Sequence, residues 1–305
     1  MLTRALLRTK AAQVLYANFQ SHSDINVLDN ELNFSIQKSY DLYYLLLLLP
    51  VEISKLAKKK IEDASQKILK TDNDRVTEFN GKLANNLFVN ILVSNKQLLN
   101  CPKGCVMFWQ QYNEELKNIY SKLSETDFFK HYIKDTDSSF DEDRQFWRKF
   151  YRSKRIFDDR FYSFLEETSI YWLDDLGIAL SFAEKTIKNF SDTDFENNAL
   201  FSLYKDDSDR EFIINLTHNV YLKSKEYDEL ISSYLKDWAL NRITIMDIVL
   251  LKMAVAEFKL FPFIPKNVTI NEYVEISKYY GTDKSSSFIN GVLDKIAKTI
   301  EKPNF

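Results

Sequence analysis

The chain has few of the residues that break helices. Its 305 residues include five glycines and five prolines, and between Cys105 and Phe261 there is no proline and a single glycine, Gly177. A β-rich fold needs turn residues at short intervals, so the scarcity of glycine and proline excludes a β-rich fold. The 45% hydrophobic and 28% charged residues are a globular composition. The sequence therefore predicts an all-α fold.

Cysteine and long apolar runs are also scarce. The two cysteines, Cys101 and Cys105, lack the two-residue gap of common zinc and thioredoxin motifs, and there is no second pair. We therefore predict neither a metal site nor a cofactor. Without a secretory leader, such cysteine usage indicates a reducing compartment and a cytoplasmic location. The longest apolar run, residues 42–51, is about half of the roughly 20 residues that a membrane span needs, so no membrane association is expected.

Catalytic motifs are missing as well. The sequence has no glycine-rich phosphate loop, no GxSxG and no HExxH, and His218 has neither a cysteine nucleophile nor a zinc ligand near it in sequence. The net charge of −3 provides no general attraction for nucleic acid, so such binding would depend on local basic patches. We predict a binding protein and not an enzyme.

Residues 238–300 are the most informative stretch and predict three helices. Residues 244–260 are nearly all apolar, so this segment should be a helix that is covered on most sides. Pro262 and Pro265 end it, because neither can donate a backbone hydrogen bond. Thr269 begins a capping box and predicts the N-cap of the second helix, which Gly281 would end in a left-handed conformation.

The third predicted helix contains an internal glycine, Gly291. A glycine there costs about 1 kcal/mol relative to alanine, which predicts that another helix or a ligand approaches its backbone closely. Elsewhere the pattern predicts long helices at 29–49, 51–69 and 74–99, with a sharp boundary at Pro50, and two helices at 210–221 and 227–238 that lead into the C-terminal three.

Residues 144–155 interleave six basic residues with four aromatic ones, Phe146, Trp147, Phe150 and Tyr151. Basic side chains that follow a phosphate backbone and rings that stack on bases are typical of single-stranded nucleic-acid sites. At helical spacing, however, the same rings can form a buried stripe beneath a basic outer face. The sequence leaves both interpretations open, the accessory RNA or protein surface and the core helix.

The first 20 residues predict a helix with one basic side. Arg4, Arg8 and Lys10 precede the first acidic residue, Asp24. Such a positive end suits phosphates, and Tyr16 could stack on a base. The alternative is an ordinary solvated helix face.

Two segments resemble the NusB family of transcription antitermination factors. The run IPKNVTINEYVEISKYYGTDKSSSFINGVLDKIA combines a proline turn, an INE helix, a glycine stop and an FINGVLDK helix in the family's order, and RTKAAQVLYANFQ is similar to the family's first helix. The resemblance implies NusB-like helical bundles with an additional inserted helical array. It divides the chain into residues 1–24 (first helix), 25–204 (insertion) and 205–305 (C-terminal bundle).

The resemblance also implies a function. Family members bind boxA-like single-stranded RNA of ribosomal RNA leaders together with ribosomal protein NusE, in the RNA polymerase antitermination complex, and perform no catalysis. The alternative is a helical protein-docking scaffold that keeps the NusB-like module without binding RNA.

Site residues follow from the resemblance position by position. It implies an RNA site where the first helix meets the turn before FINGVLDK, and a partner site on the core helix, with Asp247 as an exposed acid that faces NusE. The alternative for Asp247 is an acid at the N-terminus of the helix that the helix dipole favours. The RNA-binding set is Arg4, Arg8, Lys10, Gln13, Tyr16, Lys284, Ser285 and Phe288, and the partner-binding set is Asp247 and Lys252.

Overall fold

A computed structural model describes residues 2–68, 81–134, 137–193, 198–235 and 243–300. Across these ranges the regular elements are helices, and the β-type pairing consists of one isolated bridge between Leu2 and Tyr204. The prediction of an all-α fold is confirmed. Residues 69, 74–80 and 236–238, which belong to three of the predicted helices, lie outside the described residues.

The chain divides into two compact units, one formed by residues up to Ile36 and from Leu203 onward, the other by Gln37–Ser202. The first unit contains α1 (Arg4–Ser21), α11 (Asp207–Leu222), α12 (Ser224–Tyr234), α13 (Ile245–Leu260), α14 (Lys266–Tyr280) and α15 (Ser285–Thr299). Helix α2 (Ile25–Ile68) contributes residues to both units. The second unit also contains α3 (Leu87–Val93), α4 (Lys96–Leu99), α5 (Lys103–Gln111), α6 (Asn113–Ser124), α7 (Asp127–Tyr132), α8 (Phe140–Tyr151), α9 (Asp159–Thr168) and α10 (Leu176–Asn189).

Helix α13 is the central helix of the first unit. It packs against α1, α11, α12, α14 and α15, and its buried residues occupy every side of the helix. An almost wholly apolar helix requires neighbouring helices on every side to cover it. The three predicted C-terminal helices are confirmed, and Phe261 through Pro265 separate the first from the second.

Two local predictions in this region are wrong, and a third is wrong in part. Helix α14 begins at Lys266 with Pro265 as its N-cap, so Thr269 lies inside it, where its hydroxyl donates to Glu257 instead of capping. Gly281 ends α14 with φ −99°, not in the left-handed region. Apart from the backbone of its own helix, no protein atom of the described residues lies within 4 Å of the position that a Cβ at Gly291 would occupy. No other helix therefore approaches Gly291 closely in the part of the chain that the structure describes, and the approach of a ligand stays a prediction.

The prediction of a helix boundary at Pro50 is also wrong, because α2 continues through this residue. A proline inside a helix leaves the carbonyl of the residue four positions earlier without its backbone donor. That carbonyl belongs to Leu46, and the hydroxyl of Tyr151 donates to it at 2.6 Å. Trp109 Nε1 donates to the preceding carbonyl, that of Leu45, at 2.9 Å. Side chains from α5 and α8 therefore satisfy the acceptors beside the proline.

The four rings of residues 144–155 belong to the core of the second unit. Phe146, Trp147, Phe150 and Tyr151 are at most 4% exposed, and Phe146, Trp147 and Phe150 form a continuous series of edge-to-face contacts. Between the two interpretations of this stretch, the structure supports the core helix for its rings, which cannot stack on bases from these positions.

Among the described residues, no helix combines the length and the apolar character needed to cross a membrane.

Candidate functional site

Helix α1 carries most of the predicted RNA-binding residues and has well-defined ends. The hydroxyl of Thr3 accepts from the backbone N–H of Leu6 at 3.4 Å, which satisfies one donor of the first turn. At the other end His22 takes a left-handed conformation with φ 54°, and its N–H donates to the carbonyl of Asn18. These caps fix the helix over residues 4–21.

The structure does not present Arg8 as an exposed phosphate contact. Its guanidinium donates to both carboxylate oxygens of Glu257 at 2.8 Å, and Glu272 lies 3.4 Å away. Glu257 is fully buried and also accepts from the hydroxyls of Thr269 and Tyr273. Burial lowers the pKa of Arg8, but the hydrogen bond with Glu257 opposes this and its pKa lies above the ordinary value. The pairing explains why the charge is directed inward.

Arg4 and Lys10 were also expected to be exposed phosphate contacts, and both are instead packed against other helices. Lys10 is 1% exposed. Arg4 is half-buried: its Nε donates to Asp209 at 2.7 Å, and its guanidinium lies 5.0 Å from the ring centre of Phe212 on α11. The predicted positive face of α1 is therefore a packed face, because acids and rings of α11, α13 and α14 meet it.

A cavity of about 540 Å³ lies where α1 meets the turn between α14 and α15. Two of the predicted RNA-binding residues, Gln13 and Tyr16, line it from α1. Gln13 Nε2 donates to the hydroxyl of Tyr280 at 3.0 Å, and Tyr16 is 36% exposed. The remaining lining residues are Thr244, Ile245, Met246, Tyr280, Gly281 and Thr282.

The turn that lines this cavity is tightly packed. A Cβ at Gly281 would lie 2.5 Å from Cβ of Ser285 and 2.6 Å from the carbonyl oxygen of Ser277, so a close approach, and not a positive φ, requires glycine here. Ser285 is 1% exposed, and its hydroxyl accepts from the backbone N–H of Thr282 at 2.8 Å. Ser285 is thus a support of the turn and does not lie on the surface.

Asp247 joins this turn to the start of α13. Its Oδ2 accepts from the hydroxyl of Ser285 at 2.9 Å, and its backbone N–H is capped by Thr244. The residue is 5% exposed, so the prediction of an exposed acid is wrong: α15 covers it. Its Oδ1 is buried without a hydrogen-bond partner among the described residues.

The other residue predicted to bind a partner, Lys252, is 4% exposed. Its ammonium group donates to Ser224 at 2.7 Å and to Asp228 at 2.8 Å, both on α12. Lys252 therefore connects α13 to α12. Of the last two predicted RNA contacts, Lys284 is exposed and Phe288 is half-buried.

One signal for the buried ion pair was present in the sequence and was not used. Glu257 is an acid in an almost wholly apolar helix, and a buried acid needs a cation or several hydrogen-bond donors. Tyr280 and Thr282 carried no comparable signal in the sequence. They line the cavity because the backbone turns there between α14 and α15.

Comparison with known proteins places these features in a family. The NusB family model matches residues 173–298. A transcription antitermination protein NusB of Clostridium tetani is 47% identical over 93 residues, which are 30% of this chain and 61% of that protein. The NusB of Acetivibrio thermocellus is 38% identical over 33% of this chain and 70% of its own length. The NusB of Geobacter sp. (strain M21) is 34% identical over 40% of this chain and 84% of its own length.

The chain belongs to the NusB family. The assignment rests on the Acetivibrio and Geobacter relatives, of which this chain covers more than two thirds. A solved structure of T. maritima NusB is 34% identical, covers 41% of this chain and 78% of its own, and has a TM-score of 0.30. The chain covers 61% of the Clostridium tetani NusB, so shared membership does not by itself extend a whole NusB protein's activity and partners to it.

The NusB match starts at residue 173, which lies in the second unit and ahead of the predicted boundary at residue 205. It does not include α1. The boundaries 1–24, 25–204 and 205–305 remain predictions, beside a structural division that falls after Ile36 and before Leu203.

Proposed function

We propose that this NusB family member is a non-enzymatic transcription antitermination factor that binds boxA-like single-stranded RNA through the cavity between α1 and the 281–285 turn. The observation that carries the proposal is that Gln13 and Tyr16, two residues selected from the sequence alone, line one cavity together with that turn. An exposed tyrosine beside amide and hydroxyl groups offers stacking together with hydrogen bonding to a base.

The charges nearby favour a contact carried more by bases than by phosphates. Arg8 and Lys10 are buried, so the exposed Lys284 and the half-exposed Arg4 are the predicted cations that remain accessible. Each neutralised phosphate of a single strand contributes about −0.7 to the slope of log affinity against log salt. The salt dependence of this site should therefore be small.

Replacing Tyr16 tests the site. Tyr16→Ala should weaken binding of boxA-like RNA by about 1–3 kcal/mol, the range for loss of one stacked base. Tyr279→Ala is the matched control, because Tyr279 belongs to the same unit and is 82% exposed. The measurement is a fluorescence titration of labelled RNA with the full chain. Equal affinity of both variants and the unmodified chain would remove this cavity from the RNA site.

We infer in addition that ribosomal protein NusE is the protein partner and that the complex acts with RNA polymerase. The support is family membership together with the resemblance of the C-terminal segment. Because Asp247 and Lys252 are buried, the contact surface must use other residues. Titration of the full chain with purified NusE tests the pairing, and absence of binding at micromolar concentrations would reject it.

Comparison with the docking-scaffold alternative uses the same samples. A scaffold that kept the NusB-like module only for protein contact would bind NusE but would not distinguish boxA-like RNA from a scrambled RNA of the same length. We expect the chain to distinguish the two RNAs.

A further inference from the structure

The face of α8 that meets α10 carries a row of basic side chains within the second unit. We call it the α8–α10 seam and define it by Arg144, Arg148, Arg152, Glu184 and Lys188. The three arginines are spaced four residues apart, and Arg152 continues the helical conformation as the C-cap. They therefore lie on one side of the helix, about 6 Å apart along its axis.

The acids of the seam are too few to neutralise it. Arg148 Nε and Arg152 Nη2 both donate to the same oxygen of Glu184, at 2.7 and 2.6 Å. One carboxylate thus serves two guanidinium groups, which leaves one positive charge in excess. Arg144 pairs with Asp141, whose side chain is 75% exposed, and it also donates to the carbonyl oxygen of Lys188 on α10.

The excess charge is accessible. The side chain of Arg152 is 63% exposed, and only one of its five N–H donors is used by Glu184. Lys188 is exposed, and Lys149 and Lys185 extend the positive charge on both helices. Arginine donors directed to solvent suit the oxygens of a phosphate, which accept two parallel hydrogen bonds.

The seam can offer charge but no base stacking, because the rings of α8 are buried beneath it. Contacts to phosphates position a nucleic acid without reading its sequence. We propose that the α8–α10 seam binds the phosphate backbone of single-stranded RNA without sequence preference. The proposal rests on the proposed function, since the RNA is the transcript whose boxA-like segment occupies the cavity of the first unit. The accessible cations of the seam are Arg152 and Lys188, one on each side of it. Neighbouring positive charges with few acids between them suit a continuous polyanion better than the scattered carboxylates of a protein surface.

The test compares two variants of the full chain that each lose two positive charges from the second unit. Arg152→Ala with Lys188→Ala removes seam cations, and Glu184 keeps Arg148 as its partner. Lys58→Ala with Lys59→Ala removes two exposed lysines of α2 and is the control. Binding of a long oligouridine, which lacks a boxA-like sequence, is measured across a salt series.

The seam variant should lower the steepness of log affinity against log salt by about 1.4, because two phosphate contacts are lost at about 0.7 each. The control should change it far less. Equal changes in both variants, or no binding of oligouridine by the unmodified chain, would overturn the proposal. Competition by polyglutamate as strong as that by oligouridine would also overturn it and would assign the seam to an acidic protein.

Failure of this proposal is separable from failure of the proposed function. Preference for boxA-like over scrambled RNA reports the cavity, and it should be the same in the seam variant and the unmodified chain. If the preference is present while the salt dependence does not change, the seam alone is wrong. If the preference is absent from the unmodified chain, the proposed function is wrong, whatever the seam does.

Discussion

At the residue scale, the Arg8–Glu257 pair contributes to stability and not to an exposed surface. Arg8→Met leaves a buried carboxylate without its cation, which costs about 3–5 kcal/mol. We expect urea unfolding to show this loss. The control is Arg155→Met, since Arg155 and Glu125 are both more than half exposed and such a pair contributes about 0–1 kcal/mol. Combining Arg8→Met with Glu257→Gln should recover part of the loss, and an equal or greater loss would contradict a charge-based cause.

Gly281 and Gly291 should respond in opposite directions to alanine. At Gly281 the added Cβ meets Ser285 and the backbone of Ser277 at 2.5–2.6 Å, and overpacking of this kind costs about 1–3 kcal/mol. At Gly291 the space is open and the residue lies inside α15, so alanine should stabilise the helix by about 0.5–1 kcal/mol. Thermal unfolding of the two variants measures both changes, and a stabilised Gly281→Ala would contradict the close approach.

The cysteines should react slowly in the folded chain. Burial raises the pKa of the Cys105 thiol to about 12 and also raises the pKa of Cys101. Because the thiolate is the reactive form and a higher pKa leaves less of it, a disulfide reagent at pH 8 should modify neither residue quickly. In denaturant both should react at the rate of a free thiol. Rapid modification of the native chain would show that the thiols are accessible.

At the scale of an element, α2 depends on a hydroxyl from α8. Tyr151→Phe leaves the Leu46 carbonyl without a donor, and an unsatisfied buried group costs about 1–3 kcal/mol. With Pro50→Ala the backbone N–H of residue 50 can donate to Leu46, so Tyr151→Phe should then cost less. Tyr43→Phe is the control, because the Tyr43 hydroxyl pairs with Thr186 and its cost should be equal in both backgrounds. The unfolding free energies of the full double-mutant cycle show whether the Tyr151 hydroxyl replaces the donor that Pro50 lacks.

At the scale of the whole molecule, we expect the first unit to fold without residues 37–202. A short flexible linker from Ile36 to Leu203 would keep Leu28, Leu32 and Ile36, each 1% exposed, and the bond from the Leu2 N–H to the Leu203 carbonyl. This variant should be helical by circular dichroism and should unfold cooperatively.

A second deletion, of residues 25–204, follows the boundaries predicted from the sequence. It removes those buried residues, each of which contributes about 1.5–3 kcal/mol when fully buried, so it should be clearly less stable than the first deletion. If both deletions fail to unfold cooperatively, the two units depend on one another and the division into separable domains is wrong.

The sequence by itself determined the helical class, the three C-terminal helices and the family resemblance. These depend on local properties: the scarcity of glycine and proline, helical periodicity, and the stops at Pro262 and Pro265. Each acts within a few residues along the chain, so each can be read without knowledge of distant partners.

Only the tertiary structure decided which charged residues are buried. Arg8 pairs with an acid 249 residues away, and Asp247 accepts from a serine 38 residues away. The continuation of α2 through Pro50 depends on Tyr151, which bonds to Leu46 across 105 residues. No local pattern encodes these pairings, because a side chain's exposure depends on which distant elements pack against it. The sequence selected Arg8 and Asp247 as exposed contacts for the same reason, and packing turned both of them inward.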